Sequence, residues 1–204
     1  MRNAYAIVGV AALVVIAGGA YAFNRSFTQP RDTVSTQTRT GAPTTMSTLT
    51  LSLTSSAFAE DASIPSRFTC DGDRSVSPPL SMAGVPQGTK SLALIMDDPD
   101  VPKALYGDGV FDHWVLFNIP PETREIPEGG SAGVAGANSA GENAYTGPCP
   151  PPQYEPSEHR YVFKLYALDS ELSLQAGAGK ADMEKAMEGH ILAQTQLVGR
   201  YKRI

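Results

Sequence analysis

The sequence predicts a mainly β domain: an antiparallel β-sandwich with a C-terminal helix, preceded by an apolar leader and a polar tether. Three observations predict it. Short apolar runs with the patterning of strands recur between residues 49 and 168. Proline is absent from the middle of each run and dense between runs, at Pro78, Pro79, Pro99, Pro102, Pro120, Pro121, Pro148 and residues 150–152. Only residues 181–197 place apolar side chains at the three- and four-residue spacing of an amphipathic helix. Short strands, Pro- and Gly-rich turns and few helices together point to a sandwich.

The leader comes first. Residues 4–23 are almost continuously apolar, with Tyr5 and Tyr21 near the two ends, where interfacial tyrosines sit. A membrane-spanning helix needs about 20 such residues and a secretory apolar region about 7–15. Arg2 and the amino terminus supply positive charge ahead of the run, and Ala20-Tyr21-Ala22 fits a small-x-small cleavage site. Two readings stay open for residues 1–23: a signal peptide cleaved near Ala22, or a retained transmembrane anchor. Both place the chain from Thr48 onward outside the cytoplasm, either anchored at the inner membrane or periplasmic or secreted. Residues 24–47 are rich in Thr, Ser, Gln and Pro and lack an apolar period. Such a segment cannot bury enough surface to offset its ordering entropy, so it reads as a flexible linker.

Residues 48–204 form the domain, long enough for one core. Residues 49–53 alternate with period 2, and residues 91–96 and 113–119 are compact apolar runs. Residues 161–168 are apolar on both faces, which suits a central strand. Residues 129–141 are Gly-rich and read as a flexible loop, and residues 199–201 return as a strand. Charge is uneven. Up to Ser47 there are four arginines and one aspartate, and the domain carries 12 basic and 20 acidic residues. An acidic domain argues against nucleic acid as a partner, because neutralising phosphates needs surplus Lys and Arg.

Reactive side chains are scarce: three His, two Cys and one Trp. Gly177-Ala178-Gly179-Lys180 is no nucleotide loop, since Leu174 and Ala181 stand where the pattern needs Gly and Ser or Thr. The other candidates gather at strand ends. Asp97, Asp98 and Asp100 close one predicted strand, His113 and His159 open two others, and residues 145–151 form a stiff loop. The even cysteine count of an exported domain favours a disulfide between Cys70 and Cys149, closing a long span.

The blocks DPDVP (98–102), DHW (112–114), YTGPCPP (145–151) and HRYVFKLYALD (159–169), with SPPLSM (77–82) upstream, resemble the phosphatidylethanolamine-binding protein family. They are most similar to its bacterial Raf-kinase-inhibitor-like branch. Met82 and Val110-Phe111 depart from tryptophans often seen in that branch. The resemblance implies a β-sandwich with a small anion pocket at one end. Carried over by position, the pocket is Asp98, Asp100, His113, Tyr145, Gly147, Pro148, His159 and Tyr161, with Cys149 and Phe163 as neighbours. It implies no metal and no cofactor.

These residue types suit an anion. Imidazole N–H, tyrosine O–H and loop N–H groups donate to a phosphate oxygen. An ionised aspartate cannot face the anion, so Asp98 or Asp100 must take up a proton or orient a histidine from behind. The leading expectation is a binding module for a phosphate-bearing or other small anionic group, on a lipid head group or a protein, modulating an unidentified protein partner. The alternative is a hydrolase of phosphoesters or esters, with His113 or His159 as general base and Asp98 as its orienting partner. No nucleophile motif such as G-x-S-x-G accompanies them, so no catalytic residue is assigned.

Overall fold

The structure is a computed structural model that describes residues 50–203. The leader and linker readings, residues 1–47, lie outside the described residues. Among the described residues no helix is long and apolar enough to cross a membrane.

Two antiparallel sheets make the sandwich. The smaller has the order β1 (Ser52–Thr54), β2 (Leu80–Ala83), β5 (Glu125–Ile126). The larger has the order β6 (Val134–Ala135), β4 (Phe111–Ile119), β3 (Ser91–Asp98), β7 (Glu158–Leu168), β8 (Ile191–Lys202). Side-chain alternation decides the packing. Leu92, Leu94 and Met96 of β3 share a core with Leu53, Leu80, Met82 and Ile126 of the smaller sheet. Ala93 and Ile95 turn to the other face, where Val115, Phe117 and the helix residues Met183 and Met187 cover them. Both faces of β3 are therefore covered, and all eight of its residues are buried. This is why its sequence reads as a continuous apolar run rather than an alternating one.

The terminal helix differs from its expected extent. The helix α1 (Lys180–Met187) spans eight residues, and residues 191–197, expected to continue it, belong to β8. Gly189 turns the chain at φ 79°, a conformation glycine adopts without steric cost. Beyond it, residues 191–202 pair with the whole length of β7. A pattern with Ala193 and Leu197 four apart fits a helix as well as a strand, and the long partner strand settles the choice. β7 lies between β3 and β8, the interior position its two apolar faces predict. The Gly-rich stretch is not wholly irregular, since β6 within it pairs with β4.

Candidate functional site

β4, β3 and β7 are neighbours, and the C-terminal end of β3 meets the starts of β4 and β7. Asp98 pairs with Phe111 across one ladder and Asp97 with Val162 across the other. The antiparallel register thus collects side chains far apart in sequence at one end of the larger sheet. There they border a cavity of about 260 Å³.

A β-bulge aims one of them. The β3–β4 register runs from Met96↔Trp114 to Asp97↔Asp112, so His113 has no opposite residue. An extra residue re-aims the strand. After it, Asp112 faces the helix side with Asp97, and His113 lines the cavity. His113 is 5% exposed, and its Nδ1–H donates to the Thr146 carbonyl at 2.7 Å. A carbonyl only accepts, so the neutral ring carries its proton on Nδ1 and leaves Nε2 as an acceptor. Burial pushes the His113 pKa down, against the pull of the Thr146 hydrogen bond and nearby aspartates.

His159 has the opposite setting. Its ring is fully buried, and Nδ1–H donates to Asp98 Oδ2 at 2.7 Å. Burial opposes the charged ring, but the hydrogen bond and charge of Asp98, with Asp100 behind, outweigh it and raise the His159 pKa. Asp98 also accepts the Asp100 backbone N–H on Oδ1 at 2.9 Å. Of the two options open to an aspartate beside an anion, Asp98 therefore takes the second: it orients a histidine from behind. His159 Nε2 is buried without a hydrogen-bond partner, and so is the Tyr161 hydroxyl. The Tyr161 ring meets His113 edge-on at 5.2 Å and stacks on His159 at 6.5 Å. Burial and the nearby Asp98 carboxylate keep its phenol protonated well beyond the usual tyrosine range.

The loop side of the cavity is held from several directions. The Gly147 N–H donates to the Arg74 carbonyl at 2.7 Å, and the Cys70 N–H to the Pro148 carbonyl at 3.0 Å. A Cβ on residue 147 would lie 2.4 Å from the Phe68 carbonyl oxygen, so only glycine allows this approach. The Cys70–Cys149 disulfide, with Cα atoms 5.3 Å apart, ties the same two segments. The apolar side chains of Val101, Leu105, Tyr106 and Phe111 also wall the cavity. Tyr106 and Phe111 meet edge-on at 5.1 Å.

Asp98, His113, Gly147, Cys149 and His159 line the cavity. Tyr161 stands behind the histidines, outside the lining. Asp100 also lies outside it, because its carboxylate accepts the Arg160 backbone N–H, Nε–H and an amino N–H. The Arg160 hydrogen bond holds the Asp100 carboxyl below the usual carboxylate range. Tyr145 is a scaffold residue: its hydroxyl donates to the Phe68 carbonyl and its ring packs against Trp114. Pro148 contributes its carbonyl to Cys70, and Phe163 packs on Phe58 in the core. Sequence reasoning missed Arg74, Thr146 and the apolar wall. All but Phe111, the first residue of β4, sit in loops, where no periodicity marks them, and only Val101 and Thr146 lie inside a recognised block. Among the described residues no cluster of His, Cys, Asp and Glu has the arrangement of a metal site.

Comparison with known proteins agrees with the fold. A family model described as phosphatidylethanolamine-binding protein matches residues 54–202. A UPF0098 protein of Methanothermobacter thermautotrophicus is 48% identical over 160 residues, covering 75% of this chain and 99% of the relative. A UPF0098 protein of Chlamydia trachomatis is 43% identical over 154 residues, covering 75% and 99%. Among solved structures, a phosphatidylethanolamine-binding protein homologue from Chlamydia trachomatis is 42% identical. It superposes with a TM-score of 0.72 over 76% of this chain and 99% of its own. E. coli YbcL, described as a member of the mammalian family, is 25% identical, with a TM-score of 0.67 over 76% and 99%.

Proposed function

Given that the chain belongs to the phosphatidylethanolamine-binding protein family, we propose that its cavity recognises a phosphate-bearing or other small anionic group. One observation carries this reading. His159 lines the cavity, its ring is buried with Nδ1–H fixed on Asp98, and its Nε2 has no hydrogen-bond partner among the described residues. Leaving a buried polar group unsatisfied costs about 1–3 kcal/mol, so such a group calls for a partner from outside. With its raised pKa, His159 offers Nε2–H as a donor to an anionic oxygen. Neutral His113 offers Nε2 as an acceptor beside it.

The physiological setting is outside the cytoplasm, at the membrane or beyond it. The apolar leader supports this, and so does a disulfide, which persists in oxidising compartments. Modulation of a protein partner through the same cavity completes the reading. Titration calorimetry of the full-length chain with inorganic phosphate tests it. Saturable binding is expected, weakened about tenfold or more by His159→Gln, as for loss of a hydrogen bond to a charged group. Absence of binding by the unaltered chain overturns the reading. Turnover of a generic aryl phosphate that is lost in His113→Ala favours the hydrolase instead.

A further inference from the structure

Arg74 lines the cavity and is the only Lys or Arg among the described residues that does so. Its guanidinium donates one amino N–H to the Thr146 hydroxyl at 3.0 Å. No carboxylate pairs with it among the described residues, whereas Arg67, Arg160, Arg200 and Arg203 each meet an acid; Arg124, which does not line the cavity, bonds only to backbone carbonyls. In a domain with an acid surplus, an arginine without an acidic partner lining a cavity stands out. Its backbone is fixed as well: the Arg74 carbonyl accepts the Gly147 N–H, and the Cys70–Cys149 disulfide binds the same two segments. The backbone of Arg74 is thus fixed before any ligand arrives, and the Thr146 hydroxyl orients its exposed guanidinium, which lowers the ordering cost of binding.

The charge balance of the cavity gives Arg74 a role. Among the other lining residues, His159 is hydrogen-bonded to Asp98, so any charge on its ring sits beside that carboxylate, and burial pushes the His113 pKa down. These residues can hydrogen-bond an anion yet supply no net positive charge. We propose that Arg74 selects the charge of the ligand: it takes a second anionic oxygen, so the cavity prefers dianionic phosphate monoesters to monoanionic phosphodiesters. This rests on the anion-binding reading above. A planar guanidinium fork suits two oxygens of one phosphate group. A diester has one charge to share and a second substituent where Arg74 would bind.

Methyl phosphate and dimethyl phosphate separate the two classes with minimal change of shape. Calorimetry on the full-length chain at pH about 7.5, above the second phosphate pKa of about 6, measures both. The unaltered chain is expected to bind the monoester about tenfold more tightly than the diester. Arg74→Gln should abolish that preference by weakening the monoester alone, and Arg74→Lys should restore part of it. A merely structural role would weaken both esters alike and leave their ratio unchanged, which overturns the proposal. An unaltered chain without preference overturns it too and leaves anion binding intact. An unaltered chain that binds neither ester refutes the anion-binding reading, and this inference falls with it.

Discussion

Asp97 and Asp98 are adjacent on β3, both almost fully buried, and they face opposite sides of the larger sheet. Toward the helix, Asp97 meets the ammonium groups of Lys164 at 2.8 Å and Lys180 at 3.2 Å, and Lys180 also reaches Asp112 at 2.9 Å. Burial opposes the Lys180 charge, but Asp112 and Asp97 outweigh it and raise its pKa. Two carboxylates and two ammonium groups therefore pin the start of α1 to β3, β4 and β7. Toward the cavity, Asp98 meets a single histidine whose outer nitrogen has no partner. The lesson is that the same residue type, one position apart, gathers two lysines on one face, with only its Oδ1 left without a hydrogen bond. On the other face it orients a histidine whose outer nitrogen has no partner among the described residues.

Breaking the two sides should have different consequences. The largest effect is expected on the cavity side. Asp98→Ala leaves His159 buried without its carboxylate, and removing one partner of a buried pair costs about 3–5 kcal/mol. Chemical denaturation should show that loss, together with a fall in the His159 pKa. Next comes the staple of the cavity loop. Replacing both cysteines by serine should cost about 2–4 kcal/mol, because a disulfide closing a long span restricts the unfolded chain. Phosphate affinity should fall with it. Lys180→Ala, on the helix side, should cost about 1–2 kcal/mol, as for loss of a hydrogen bond to a charged group. Phosphate affinity should not move. A phosphate affinity that changes with Lys180 and not with Asp98 would break the distinction between the faces.

The smallest effects are those of pH, and they differ between the histidines. His159 has a raised pKa in the folded chain. Its contribution is fully present below the ordinary histidine pKa of about 6.5 and is lost as pH rises through the raised value. His113 has a lowered pKa. Its contribution is present above about 6.5 and is lost as pH falls through the lowered value. Denaturation midpoints of His159→Gln and His113→Gln, followed across pH, should lose the alkaline and the acidic limb respectively.

β3, β4 and β7 were legible in the sequence because each is a long apolar run, the first two bounded by prolines on both sides and β7 preceded by Pro156. β2, β5 and β6 were not, because two to four residues carry too little pattern to separate strand from loop. The helix was drawn too long because residues 191–197 satisfy both periods, and only pairing with β7 distinguishes them. At the site, His113, His159, Gly147 and the acidic cluster were legible, in blocks that also carry the family likeness. Which of the three acids faces the cavity was not legible. Strand parity and the bulge at His113 send Asp97 and Asp112 one way and Asp98 the other, and Arg160 draws Asp100 aside. Arg74 was invisible because its role depends on a contact with Thr146, 72 positions away.

The central claim is that His159, held by Asp98, presents a charged Nε2–H to an anion in the cavity. Histidine NMR titration of the full-length chain, with and without saturating inorganic phosphate, measures this directly. The account predicts a His159 pKa above the ordinary histidine value, raised further by phosphate, because an anion that binds the protonated ring favours protonation. A His159 pKa at or below the ordinary value, unmoved by phosphate, would contradict it.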